Sequence, residues 1–130
     1  MSTANPPGAQ SVEILIAEDS PTQAERLRYT LERQGYKVTV TANGRLALQA
    51  ARTRRPTLLI TDVVMPEMDG FQLCQEIKSD ARLAGVPVIL VTTLSDPQDV
   101  VRGLECRADN FIINPYDERY LLSRVQFVLL

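Results

Sequence analysis

Short apolar runs alternate with helical patterns five times along this chain, and that alternation leaves few folds open. Val12 to Ala17 reads as a first strand. Ser20-Pro21-Thr22-Gln23 then opens a helix with capping-box spacing and Pro at the first helical position. Ala24, Leu27 and Leu31 share one face of that helix, and Gly35 suits the residue just past its end. Tyr36 to Thr41 is a second strand, and Asn43 can cap a second helix carrying Leu46, Ala47, Ala50 and Ala51 that must stop before Pro56. Leu58 to Thr61 is a short third strand, apolar on both faces, as expected in the middle of a parallel sheet. Asp69-Gly70 opens a third helix with Leu73, Cys74 and Ile77 inward, and Val86 to Thr92 is a fourth strand. Asp96-Pro97 starts a fourth helix, to which Val100, Val101 and Leu104 give an apolar stripe. Phe111 to Ile113 is a fifth strand, and Asp117 caps a last helix with Leu121, Val125 and Leu129 on one face. Regular strand-helix alternation predicts a parallel sheet with right-handed crossovers, covered by helices on both faces: a three-layer α/β domain.

The chain's 130 residues suffice for one core. Residues 1–11 carry no apolar periodicity and are read as a disordered tail, leaving 12–130 as the folded domain. That tail has neither the basic start nor the apolar stretch of a secretory signal, and no run reaches membrane-spanning length, so a cytoplasmic protein without membrane contact is expected. Net charge is -2 with Lys and Arg scattered, which argues against nucleic-acid contact by this domain. Cys74 and Cys106 lack metal-type spacing and read as buried free thiols, a disulfide or redox role being the alternative. Histidine is absent. That removes Ser-His-Asp and Cys-His catalysis and every His-containing metal site, so any chemistry must use carboxylates, hydroxyls, amides and main chain.

In open α/β sheets ligands bind beyond the carboxyl ends of the strands. Glu18 and Asp19 follow the first strand, Asp62 the third, Thr92 and Thr93 the fourth, and Asn114-Pro115 the fifth. Acids gathered at one sheet edge repel one another unless a cation sits among them. Paired carboxylates are hard oxygen ligands suited to Mg²⁺, which shares its shell readily with phosphate oxygens. A carboxylate is also a competent nucleophile toward phosphorus, and a threonine hydroxyl opposite it can donate to a phosphoryl oxygen. Taken singly, each of these residues has a plainer reading as a helix-start decoration, a turn former, a strand end or, for Phe111, a core side chain.

Asp62-x-x-Met65-Pro66-x-Met68-Asp69-Gly70, together with the acidic pair, the hydroxyl residue and the X-Pro step, resembles the receiver domains of two-component response regulators (the CheY-like family) over about Val12 to Leu130. The resemblance implies a flavodoxin-like sheet in order 2-1-3-4-5. It implies that Glu18 (through water), Asp19, Asp62 and the carbonyl of Val64 hold Mg²⁺, or Mn²⁺. Asp62 would be the phosphoacceptor, served by a histidine kinase or histidine phosphotransfer domain whose histidine lies outside this chain. Thr92 and Phe111 would be the hydroxyl and aromatic pair that move on phosphorylation, with Thr93 and Asn114 beside the phosphoryl group. Val64 and Leu94 would flank the path of the water that hydrolyses it. A downstream output domain or protein would read the surface formed by the fourth helix, fifth strand and last helix, which in this family can also pair two copies. The chain is expected to be an excerpt of a longer protein, and to act as a signalling phosphoacceptor rather than an enzyme.

Two positions depart from the family pattern. Asn114 stands where Lys usually precedes the Pro, replacing a charge-assisted bond by a neutral one, a loss on the order of 1 kcal/mol; the resemblance also implies a cis Asn114-Pro115 bond. Arg107 stands where Gly usually precedes the fifth strand, so the turn there either differs or costs about 1 kcal/mol. Asn114 keeps a second reading open, a degenerate receiver acting as a phosphorylation-independent interaction module. A third, an aspartyl-nucleophile phosphatase, lacks an acid two residues past Asp62, where Val64 stands, and lacks room for a substrate cap.

Overall fold

A computed structural model describes residues 12–93 and 97–130 of the chain. Strands and helices alternate without interruption: β1 (Glu13–Ala17), α1 (Pro21–Glu32), β2 (Lys37–Thr41), α2 (Gly44–Thr53), β3 (Leu58–Asp62), α3 (Gly70–Ser79), β4 (Val88–Thr92), α4 (Pro97–Glu105), β5 (Asn110–Ile113) and α5 (Glu118–Leu129). The strands pair in parallel in the order β2-β1-β3-β4-β5, the flavodoxin-like arrangement. The expected tail at 1–11 lies outside the described residues.

Period-two alternation along the strands divides the core. Ile14, Ile16, Leu58, Ile60, Ile89 and Val91 point to one face, where Leu27 and Leu31 of α1 and Leu121 and Val125 of α5 cover them. Leu15, Ala17, Leu59, Val88 and Leu90 point to the other, against Ala47, Leu48 and Ala51 of α2 and Leu73, Cys74 and Ile77 of α3. Most of these side chains are entirely shielded from solvent, and each large one contributes roughly 1.5–3 kcal/mol by its removal from water. Because every strand is parallel and in register, their carboxyl ends finish together. Ala17 lies beside Thr61, Asp62 beside Val91, and Thr92 beside Ile113. The residues at and just past these ends are thereby delivered to one sheet edge.

Helix starts follow the sequence in part. Ser20 accepts from the Gln23 N–H, but the reciprocal half of the expected box is replaced, since the Ser20 N–H donates to Glu18 Oε2 at 3.0 Å. Asn43 caps α2 as expected. The complete capping box is at α3, where Asp69 and Gln72 exchange bonds of 2.8 and 3.0 Å. Gly70 sits there because a side chain would run into the Asp62 carbonyl and the Val63 backbone.

The stripe expected on α4 is present but faces outward. Val100, Val101 and Leu104 are 49%, 51% and 65% exposed, and Gly103 is the buried residue of that helix. The reason is steric: the Phe111 ring already fills the space beneath α4. Arg107 keeps the left-handed turn with φ 66°, and its guanidinium donates to the Lys78 carbonyl at 3.0 Å, a tether that glycine could not supply. Asn114-Pro115 is cis. Cys74 and Cys106 are buried free thiols, with Cys74 Sγ donating to the Cys106 carbonyl at 3.2 Å.

Candidate functional site

Glu18, Asp19 and Asp62 meet at the carboxyl edge of the sheet, each offering a carboxylate oxygen within 4.8 Å of the others. β1 carries the first two past its end and β3 ends on the third. Their environments differ: Glu18 is buried, Asp62 half-buried and Asp19 exposed. Burial pushes the Glu18 carboxyl up to about 7; the Ser20 N–H holds it down in part, and the charges of Asp62 and Asp19 push it further up. Burial likewise raises Asp62, with Asp19 adding to the effect, against the pull of the Val63 and Val64 N–H groups. Val63 donates to Asp62 Oδ1 at 2.8 Å, fixing that carboxylate's orientation. None of the ion pairs among the described residues includes any of the three acids. A cluster of hard oxygens, partly buried and without a basic partner, fits a small divalent cation such as Mg²⁺.

The loop after Asp62 is held from both ends. Gly70 N–H donates to the Val63 carbonyl at 2.8 Å. Glu67, in the left-handed region at φ 67°, accepts from Asn43 Nδ2 at 3.1 Å and Arg45 Nε at 2.9 Å, tying the loop to the start of α2. Val64 stands in that loop with its side chain 63% exposed. Thr92 is buried at the end of β4, and its carbonyl accepts from the Asn114 N–H at 2.8 Å, while Thr93 is exposed. Leu94 lies outside the described residues.

Asn114 is half-buried, and its Nδ2 donates to Gln23 Oε1 at 3.3 Å. Sequence reasoning singled out Asn114 but missed Gln23. The signal was there only in hindsight: with the Ser20 N–H taken by Glu18, the Gln23 side chain is released from capping to reach across to β5. Phe111 is partly buried and packs against the α2–α3 side of the core. A groove of about 570 Å³ lies between β2 and α2, lined by Thr39, Ala50, Thr53 and Arg54 among others; it holds none of the clustered acids.

Comparison with known proteins agrees with this geometry. The family model for the response regulator receiver domain matches residues 14–126. The DNA-binding response regulator MtrA of Mycolicibacterium smegmatis is 36% identical over 113 residues, covering 87% of this chain and 48% of the relative. The chain thus spans about half the length of the curated relatives it matches. Among solved structures, the signal receiver domain of a signal transduction histidine kinase from Syntrophus aciditrophicus superposes with a TM-score of 0.87 at 52% identity, covering 92% of this chain and 90% of that one. The receiver domain of the sensor histidine kinase PA1611 from Pseudomonas aeruginosa has a TM-score of 0.84 at 26% identity, with 91% and 97% coverage, and was solved with a magnesium ion coordinated in its active-site cleft. Matched by its family model over most of its length, and by a curated relative above 30% identity across 87% of it, the chain belongs to the family of response regulator receiver domains.

Proposed function

We propose that this receiver is phosphorylated on Asp62, with Mg²⁺ (or Mn²⁺) held by Glu18 through water, by Asp19, by Asp62 and by the Val64 carbonyl. The observation that carries this reading is the convergence of three carboxylates without a basic partner at the carboxyl edge of the sheet. A cation bound there would supply positive charge to offset the carboxylates and an incoming phosphoryl group. The chain's own residues do the rest. The Val63 N–H holds Asp62 Oδ1, leaving the other oxygen to attack phosphorus as the donor's P–N or P–O bond breaks. The Thr92 hydroxyl donates to a phosphoryl oxygen, Thr93 and Asn114 border it, and Phe111 follows the movement of Thr92. The donor is a phosphohistidine of a histidine kinase or phosphotransfer domain, and the receiver of the modified state is an output domain or protein. No described helix is long and apolar enough to cross a membrane, in keeping with a cytoplasmic setting. Incubation with acetyl phosphate and Mg²⁺, followed by intact-mass measurement, tests the reading: one phosphoryl group per chain is expected, and none without the metal. Metal binding with no phosphoryl uptake from any donor would instead favour the interaction module.

The metal site has its own consequence. Two like charges about 5 Å apart repel by about 1 kcal/mol even in water-like surroundings. Asp19→Asn is therefore expected to raise the melting temperature of the metal-free protein by a few degrees. Saturating metal, at about a hundred times its dissociation constant, should stabilise wild type by about 2.7 kcal/mol. The variant should gain much less, because it has lost an anionic ligand. Thermal unfolding with and without Mg²⁺ reads both effects, and an equal metal-induced rise in the two proteins would remove Asp19 from the ligand set.

Asn114 sets the strength of switching. Its amide already donates to Gln23 and carries no charge to give a phosphoryl group. A differential interaction of about 1.4 kcal/mol moves a two-state ratio tenfold. Asn114→Lys is therefore expected to enlarge the chemical-shift change that beryllofluoride induces around Thr92 and Phe111 and across α4, β5 and α5. Equal responses in the variant and wild type would show that residue 114 does not limit switching.

A further inference from the structure

A methyl group placed on Gly103 would overlap the far edge of the Phe111 ring, with the third ring contact at 3.0 Å. The ring therefore stands end-on in a notch that α4 has only because residue 103 lacks a side chain. Gly103 is also the buried residue of α4, whose larger apolar side chains, Val100, Val101 and Leu104, face away from the body. Two further described contacts lie at the periphery of the helix. Arg102 lies over the Phe71 ring at 4.4 Å and 3.6 Å from Asp69, with half of its own side chain exposed. Cys106 anchors the turn that follows the helix.

We propose that Gly103 is a positioning residue: the Phe111 ring seated in its notch holds α4 against the sheet, and departure of the ring releases the helix. Glycine in a helix interior is unfavourable relative to alanine, and here the close approach of the ring requires it. The seat accounts for the outward stripe. With the ring supplying the packing beneath α4, Val100, Val101 and Leu104 have no room inward. The seat rests on packing alone, whereas its use as a relay from the phosphorylation site rests on the function proposed above.

Amide hydrogen exchange separates this from a passive helix, because the two readings differ in sign. Without a seat, Gly103→Ala strengthens α4 and slows exchange of its amides by roughly fivefold, the intrinsic preference of a helix for alanine over glycine. With the seat, the methyl group evicts the ring, and exchange from Val101 to Cys106 quickens by about tenfold, local opening having become easier. Phe111→Ala is expected to quicken the same amides. In that background Gly103→Ala should reverse its effect and slow them, since no ring remains to be displaced. Amides of β1 and β3 report global unfolding and should change less than those of α4 in every variant. All four proteins are measured without metal or phosphoryl donor, so failure of the phosphoacceptor reading leaves the comparison intact. Slower exchange for Gly103→Ala in both backgrounds, or equal acceleration of α4 and the central strands, overturns the proposal.

Discussion

Asp62→Asn is expected to take up no phosphoryl group under conditions in which the wild-type chain gains one. Asparagine keeps the shape of the side chain, and its Oδ1 can still accept from the Val63 N–H that orients Asp62 at 2.8 Å. What it lacks is the anionic oxygen that would attack phosphorus in the proposed reaction, together with the negative charge that would help hold the cation. Positioning and electrostatic stabilisation are most of what a protein can add to phosphoryl transfer, and an amide in place of the nucleophile leaves them nothing to act upon. A fall in labelling rate of more than about a hundredfold corresponds to more than about 2.7 kcal/mol of barrier. The variant should remain folded, because the substitution removes a carboxylate whose acidity burial and Asp19 already suppress. The measurement is intact mass after incubation with acetyl phosphate or phosphoramidate, in Mg²⁺ or Mn²⁺. Uptake by Asp62→Asn at wild-type stoichiometry would falsify the assignment of the acceptor.

Much of this arrangement is legible in the sequence. Continuous apolar runs such as Ile14-Leu15-Ile16 and Leu58-Leu59-Ile60 require a sheet covered on both sides, and the parallel register then carries Glu18, Asp19, Asp62 and Thr92 to one edge. Those readings succeed because they rest on local pattern and on the geometry of a parallel sheet. What escaped depends on partners far apart in the chain. The outward turn of Val100, Val101 and Leu104 follows from a ring on another element, and an apolar stripe at helical spacing carries no mark of which side is already filled. Gln23 accepts from Asn114 while Glu18 takes the Ser20 N–H, so one strand-end acid changes what a side chain five residues later is free to do. Arg107 shows the converse. The left-handed turn persists without glycine because a long side chain finds the end of α3, a tether invisible in the sequence around it.

The phosphorylated form is expected to be long-lived for a receiver, and Val64→Asn to shorten its half-life by about tenfold, equivalent to about 1.4 kcal/mol of barrier. Hydrolysis needs a water held in line with the Asp62–phosphorus bond, and an enzyme-like gain comes from fixing that water at the right distance and angle. Val64 lies two residues beyond Asp62 in a loop pinned by Gly70 at one side and by Glu67 at the other, with its side chain 63% exposed. A branched hydrocarbon there cannot hydrogen-bond a water and would shield its approach to a phosphoryl group on Asp62. An amide of similar size can both accept from and donate to that water. Asn114 would act in the same direction, since no lysine charge would support the developing negative charge on the phosphoryl oxygens. Packing gives little reason for the substitution to disturb the fold, because Val64 contributes an exposed side chain, in contrast to its buried neighbour Val63. Decay of the modified mass is followed after the donor is removed, with Mg²⁺ held constant and the melting temperature checked in parallel. Equal decay in wild type and Val64→Asn would mean that Val64 merely packs the loop, and the lifetime would then have to be set elsewhere in the site.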